Sequence, residues 1–199
     1  MKKGSLRRLT MAALCGAVAF VLMFFSFSVP VLSPFAEFDF SALPELIGGF
    51  ILGPIGAIEI IVVKIGLKLL FKGSSSLLTG EAMNLILSLA YVLPALFYYR
   101  KHRTKKGAVI GLALGTVISV IVSIFTNIYV IFPIYIKLYG MNWEGILEMC
   151  SAVNPWITSI PTMVAFSIVP FNLISRVVTS LITLLVYKKL SIPMKKFAN

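Results

Sequence analysis

Long apolar runs alternate with short polar connectors along the whole chain. The runs cover 9–29, 43–71, 81–99 and 107–135, and a last one opens between Thr162 and Phe171 and closes at Tyr187. Runs of this kind suit helices crossing a ~30 Å hydrocarbon layer, which takes roughly 20 apolar residues. The run over 43–71 is too long for one upright crossing, because a straight helix of that extent would measure about 44 Å. Only Glu45, Glu59, Lys64 and Lys68 are charged within it, and Gly53-Pro54-Ile55-Gly56 interrupts it. It is therefore one long tilted helix, or two short helices folded back at Gly53-Pro54.

Charge separates the two. Basic residues gather at Lys2, Lys3, Arg7 and Arg8, in the connector RKHRTKK over 100–106, and at Lys188, Lys189, Lys195 and Lys196, which together hold thirteen of the eighteen Lys and Arg. Short basic connectors stay on the cytoplasmic side of a membrane. A single crossing by 43–71 makes five spans and throws the second and third clusters outside. A fold-back makes six, with all three clusters and both termini in the cytoplasm. The acids agree, since Glu37, Asp39, Glu45, Glu81, Glu144 and Glu148 then fall at or near the outer face. The expected architecture is an all-α polytopic membrane protein forming one domain over 1–199. Its six transmembrane helices cover about 9–29, 42–53, 54–71, 81–99, 107–135 and 167–187, with outer loops over 30–41, 72–80 and 136–166. The span over 42–53 is only about 18 Å long if helical. It must be shielded by neighbouring protein, as short or broken spans in membranes are.

Composition makes the bilayer the solvent: 59% of residues are hydrophobic, 13% are charged, and mean hydropathy is +0.99. A net charge of +11 would point a soluble protein toward nucleic acid. Here the basic residues lie between apolar spans, so they orient the chain in lipid. Cys15 sits inside the first span and Cys150 in a late polar loop, too far apart to meet in a disulfide.

Pro30, Pro34 and Pro44 argue against a continuous helix through the first outer loop, where Phe35, Phe38 and Phe40 alternate with Glu37 and Asp39. Gly73-Ser74-Ser75-Ser76 is the core of the second. Residues 136–168, with Trp143, Trp156, Glu144 and Glu148, suit a short interfacial helix and irregular cover. Pro170 marks a kink or the start of the last span. Small residues recur at Ala12, Ala13, Gly16, Ala17 and Ala19, and again at Gly107, Gly111 and Gly115, where helices can approach closely.

Enzyme chemistry has no purchase in this chain. The one histidine, His102, lies in the basic connector; there is no Cys/His cluster and no Walker A loop, so energised transport needs other subunits. Polar groups inside the spans carry the functional interest, because each costs free energy there unless paired or solvated. Glu81 and Asn84 open the fourth span from outside, and Asn127 lies six residues before Pro133 in the outer half of the fifth. Asn172, Ser175 and Arg176 share one face of the sixth, and Asp39 sits between Phe38 and Phe40 in the outer loop. All fall at similar depth, which suggests an outward-opening pocket with amides, charge and aromatic walls. Each alone is equally well explained as interhelical glue or an interfacial anchor. Glu59, Lys64 and Lys68 pair with one another or snorkel, with Lys64 the best candidate for a ligand contact.

In this order and spacing, LTMAALCGAVAF, FDFSALPELIGGFILGPIGA, GEAMN, TNIYVIFPIY and IVPFNLISR resemble the riboflavin-specific substrate-binding (S) components of energy-coupling factor (ECF) transporters. The resemblance covers nearly the whole chain. It implies a non-catalytic six-helix subunit of the cell membrane that captures riboflavin outside and topples to release it inside. Its partners would be a transmembrane coupling protein and two ATPase subunits, with riboflavin as cargo rather than cofactor. It implies docking to the coupling protein through an A-x-x-x-A surface, matched by Ala13 and Ala17. It also implies flavin contacts from Asn127 and Asn172. Some relatives carry a lysine three residues after the latter; here that position is Ser175, followed by Arg176.

The ligand's chemistry suits the candidate residues. The polar edge of isoalloxazine offers an N–H flanked by two carbonyls, which an asparagine amide can match on both counts. Its dimethylbenzene end needs an apolar wall, its ribityl hydroxyls suit Asp39, Glu81 or Asn84, and a ring stacked on Phe38 or Phe40 would gain about 0.5–1.5 kcal/mol. Whether FMN is carried as well stays open. Other readings are an S component for a different vitamin, a structural or regulatory membrane subunit whose amides only hold helices together, and a stand-alone carrier. The last would be expected to show inverted repeats, and none is visible.

Overall fold

The computed structural model describes residues 3–30, 32–74, 78–140 and 142–198. Lys2, Ser75 and Ser76, and the side chains of Phe35, Lys188, Lys195 and Lys196, fall outside the described residues. In order, the elements are α1 (Lys3–Phe24), β1 (Phe27–Val29), β2 (Ser33–Phe38), α2 (Ala42–Lys72), α3 (Thr79–Lys101), α4 (Lys105–Thr126), a π-turn (Asn127–Ile131) and α5 (Phe132–Tyr139). They continue with α6 (Trp143–Val153), α7 (Ile160–Met163), a second π-turn (Val164–Ile168) and α8 (Val169–Ala198). Among the described residues, five stretches are long and apolar enough to cross a membrane: Leu6–Phe24, Ala42–Lys72, Thr79–Lys101, Lys105–Leu138 and Ile160–Tyr187. Their outer faces stay apolar and uncovered, with Leu70 82% and Leu185 77% exposed, as lipid contact requires.

The second stretch is doubled over. Gly53 takes φ 86° and ψ −178°, a conformation essentially confined to glycine, and Pro54 follows at the start of the return arm, where its missing N–H costs nothing. The arms over 42–52 and 54–72 then pack on each other. Lys64 reaches Glu45 at 2.5 Å and Ser41 at 3.2 Å. A straight helix would hold positions 45 and 64 about 28 Å apart.

Other boundaries move, each for a local reason. The first helix ends at Phe24 rather than near 29, because β1 and β2 form an antiparallel hairpin pairing Phe27 with Phe38 and Ser28 with Glu37, with a bulge before Val29. The expected loop between the first two spans is thus a β-hairpin. Its two strands make a sheet of edges only, where Pro34 is tolerated. The last span opens at Ile160, before the expected 162–171 window, because Ser159 and Thr162 form a capping box with Pro161 inside the first turn. The fifth continues to Tyr139 through the π-turn, so the segment before the last span is shorter than 136–166, and it holds the short helix α6.

Packing gathers three apolar clusters. The central one joins both arms of α2 to α3 and α4 through Leu46, Ile61, Tyr91, Val92, Leu96 and Leu112. A second holds α1 on the hairpin through Met11, Ala12, Cys15, Leu52 and Ile60. The third, with Phe132, Ile146, Cys150 and Met163, binds α5, α6 and α7 together. Arg8, Gly53, Arg100 and Tyr187 border one recess, so the start of α1, the hairpin tip, the end of α3 and the lower part of α8 meet at one end of the bundle.

The glycines of α4 make its contact with α3 possible. A Cβ added at Gly115 would lie 2.2 Å from the Tyr91 carbonyl oxygen, and one at Gly111 would lie 2.6 Å from that of Ala95. Backbone cannot yield as a side chain can. Gly115→Ala is expected to cost about 1–3 kcal/mol in thermal unfolding in detergent. Gly66→Ala, whose Cβ meets nothing within 4 Å, is expected to be neutral or to gain up to about 1 kcal/mol from helix propensity.

Candidate functional site

Lys64 builds one end of the site. Its side chain is fully buried, as is that of Glu45, and burying an ammonium demands an anion and further acceptors. Besides Glu45 it donates to Asn84 Oδ1 at 2.6 Å, Ser41 Oγ at 3.2 Å and Ser88 Oγ at 3.3 Å. Ser88 in turn donates to Glu45 Oε1 at 3.3 Å. One cation thereby ties both arms of α2 to α3. The expected pairing among Glu59, Lys64 and Lys68 does not occur: Lys64 pairs with Glu45 across the hairpin, and Lys68 with Glu81 of α3 at 2.6 Å. Charges within one helix can meet only three or four positions apart, and the fold-back supplies nearer partners.

Hydrogen-bond partners fix which way three amides point. An ammonium only donates, so the Asn84 atom facing Lys64 is the oxygen and its NH2 is the free end. Asn127 donates Nδ2 to the Ser123 carbonyl at 2.7 Å, and Asn172 donates Nδ2 to the Ile168 carbonyl at 2.9 Å. Both therefore present Oδ1. Each stands at a π-turn: Asn127 opens the first, and Asn172 caps the last carbonyl of the second. Pro133 and Pro170 lie just beyond, where proline lacks an N–H and crowds the carbonyl four residues back, and a widened turn relieves that crowding.

These groups line a single cavity of about 430 Å³, within the range of small-molecule sites. Asp39, Asn84, Asn127, Asn172 and Ser175 all border it, as do Ser41 and Ser88 of the lysine network. Apolar walls come from Phe20, Met23, Leu87, Phe132, Met163 and Phe171. Asp39 Oδ1 accepts the Ser41 N–H at 2.7 Å, which holds the chain entering α2. Arg176 also lines the cavity; its guanidinium lies 5.0 Å over the Tyr91 ring, and its Nε is buried without a hydrogen-bond partner. The Tyr91 hydroxyl bonds Ser180 at 2.6 Å and the Arg176 carbonyl at 3.0 Å, which locks α8 to α3. The β-hairpin brings Ala36 and Glu37 to the rim, and Ser26 holds Glu37 at 2.6 Å. Cys150 lines the cavity from α6, and burial pushes its thiol pKa up.

Three expected contacts lie beside the cavity rather than in its lining. Phe38 is 6% exposed and packs with Phe27 and Phe40 at ring separations of 5.1 Å, so both Phe38 and Phe40 serve the core of the β-hairpin. Glu81 is held by Lys68 and by Ser74 at 2.8 Å. Ser41, Ser88, Phe132 and Phe171 were not singled out in the sequence; Ser41 and Ser88 become visible only once Lys64 is seen to need acceptors. The small residues of α1 divide between two faces. Ala12 and Ala19 are buried, and a Cβ on Gly16 would lie 2.6 Å from Val63 of the hairpin. Ala13 is exposed and Ala17 half-buried, beside the exposed Leu14 and Val18. Cys15 and Cys150 are both free.

Residues 7–187 match the protein family described as the substrate-specific component of ECF transporters. The chain is 30% identical over 93% of its length to the riboflavin transporter RibU of Staphylococcus aureus, covering 90% of that protein. It is 28% identical to the riboflavin transporter FmnP of Bacillus subtilis, over 92% of each. A solved structure of the S component of a bacterial ECF transporter superposes with a TM-score of 0.74 at 29% identity, over 96% of this chain and 99% of that one.

The buried pair generates a stability test. Lys64→Met alone strands Glu45 without its cation and is expected to cost about 3–5 kcal/mol in thermal unfolding. Adding Glu45→Met is expected to recover most of that loss, and a double variant as unstable as the single one would show that the pair is not the cause.

Proposed function

The chain belongs to the ECF transporter substrate-specific components, and from that membership we propose that it captures riboflavin from outside the cell and delivers it through an ATP-driven module. It is a transport subunit, not an enzyme. The module would comprise a membrane coupling protein and two ATPase subunits. In the cell membrane the chain would cross six times, with the α2 arms counting as two crossings and both termini in the cytoplasm. The three basic clusters support that orientation. The exposed flank around Ala13 supports docking of the coupling protein on α1.

One observation carries the ligand assignment: amides from three separate helices, each with its orientation fixed by a partner, border one cavity. Isoalloxazine presents an N–H between two carbonyls. The Oδ1 atoms of Asn127 and Asn172 offer acceptors for that N–H, and the Asn84 NH2 with the remaining amide hydrogens offers donors for the carbonyls. The apolar side chains across the cavity suit the dimethylbenzene ring. Asp39, Ser175 and Arg176 give the ribityl hydroxyls both acceptors and donors, so the sixth-span contact is shared by Ser175 and Arg176.

Titration of the purified protein with riboflavin is expected to quench flavin fluorescence at one site per chain. Asn127→Ala and Asn172→Ala are each expected to weaken binding by about 1–3 kcal/mol while leaving the unfolding temperature within a few degrees. Loss of thermal stability with unchanged flavin affinity would instead make the amides interhelical glue, and absence of binding to the intact protein would reject the assignment.

A further inference from the structure

A second recess of about 430 Å³ opens at the other end of the bundle, between α1, the hairpin tip, α3 and α8. Three guanidinium groups border it: Arg8 from α1, Arg100 from the last turn of α3, and Arg103 from the connector that follows. No Asp or Glu lines it, and the two ion pairs among the described residues, Lys64–Glu45 and Lys68–Glu81, lie elsewhere. Arg8 donates to the Leu52 carbonyl at 2.7 Å, which pins one guanidinium against the hairpin tip. Tyr99 and Tyr187 both pack edge-on against Phe50, at 4.8 and 5.4 Å, so the wall opposite is a locked aromatic cluster.

Arginines at a membrane surface are ordinarily solvated and only orient the chain. Here arginines remote in sequence share one concave space with no anion to balance them. The rim of that space is apolar, for Ile55 lines it and is 73% exposed, and Leu9, next to Arg8, is 50% exposed. Guanidinium groups grip phosphate oxygens in pairs, and an acyl chain covers apolar surface that a free ion leaves wet.

We propose that this recess binds the phosphodiester headgroup of an anionic phospholipid, with its acyl chains lying along the exposed flank at Ile55 and Leu9. The site fastens the hairpin tip to the leaflet surface. It stands apart from the flavin reading, because it shares no lining residue with the other cavity.

The test uses the full chain in mild detergent, with native mass spectrometry counting bound lipid at increasing phosphatidylglycerol or phosphatidylcholine. Phosphatidylglycerol is expected to be retained at one molecule per chain and phosphatidylcholine to be lost. The triple substitution Arg8→Gln, Arg100→Gln and Arg103→Gln is expected to weaken retention by roughly tenfold or more. A control with Lys101→Gln, Lys105→Gln and Lys106→Gln removes equal charge outside the recess and is expected to stay within about twofold of the parent. Arg8→Lys, Arg100→Lys and Arg103→Lys together keep the charge while losing the planar fork, so they guard against misfolding and are expected to fall between the two. Equal losses in the lysine control, equal retention of phosphatidylcholine, or displacement of the lipid by millimolar inorganic phosphate would each overturn the proposal.

Discussion

An ammonium at hydrocarbon depth must find a negative partner, and in this chain Lys64 finds it only because the backbone reverses at Gly53. The reversal places Glu45 opposite Lys64, and the three protons of the cation are shared among Glu45, Ser41, Asn84 and Ser88. Replacing such a pair with apolar residues need not lower stability, so its value lies in register. A slip of either arm by one residue would leave both charges unpaired. The same contacts fix the inner end of the cavity, since Ser41, Asn84 and Ser88 all line it.

The cavity then acquires its chemistry from two widened turns. At each of them an asparagine side chain donates to the carbonyl four residues back, Asn127 to Ser123 and Asn172 to Ile168, and is left with its oxygen as the open group. Against these acceptors stands the Asn84 NH2, whose oxygen is occupied by Lys64. Donor and acceptor positions are therefore set before any ligand arrives, the condition under which buried polar groups discriminate between ligands. The β-hairpin and α6 flank this arrangement, packed by Phe27, Phe38 and Phe40 on one side and by Ile146 and Cys150 on the other.

Much of this was legible in the residues. The fold-back followed from the length of one apolar run and the placement of thirteen basic residues. Asp39, Asn84, Asn127, Asn172 and Ser175 could be grouped by depth alone, and the structure brings all five to one cavity. What escaped had weaker or non-local signals. The alternation Phe25-Ser26-Phe27-Ser28-Val29 is a strand pattern that the preceding apolar run concealed. Phe38 and Phe40 lie beside the cavity because both rings pack on Phe27 of the facing strand, a contact that a short aromatic loop does not announce in sequence. The partner of Lys64 could not be chosen from sequence, because two other carboxylates, Glu59 and Glu81, lay nearer along the chain than Glu45.

The doubled hairpin can be measured with spin labels at positions 43 and 70, in a chain whose two native cysteines are replaced by alanine. Arms folded back at Gly53 place the labels within about 25 Å, given ~10 Å between packed helix axes and a depth offset of about 10 Å. A pulsed dipolar distance distribution centred in that range in lipid nanodiscs is the expected result. A distribution centred near 40 Å, the span of a straight helix over the same residues, would dissolve the Glu45–Lys64 pair and the cavity built on it.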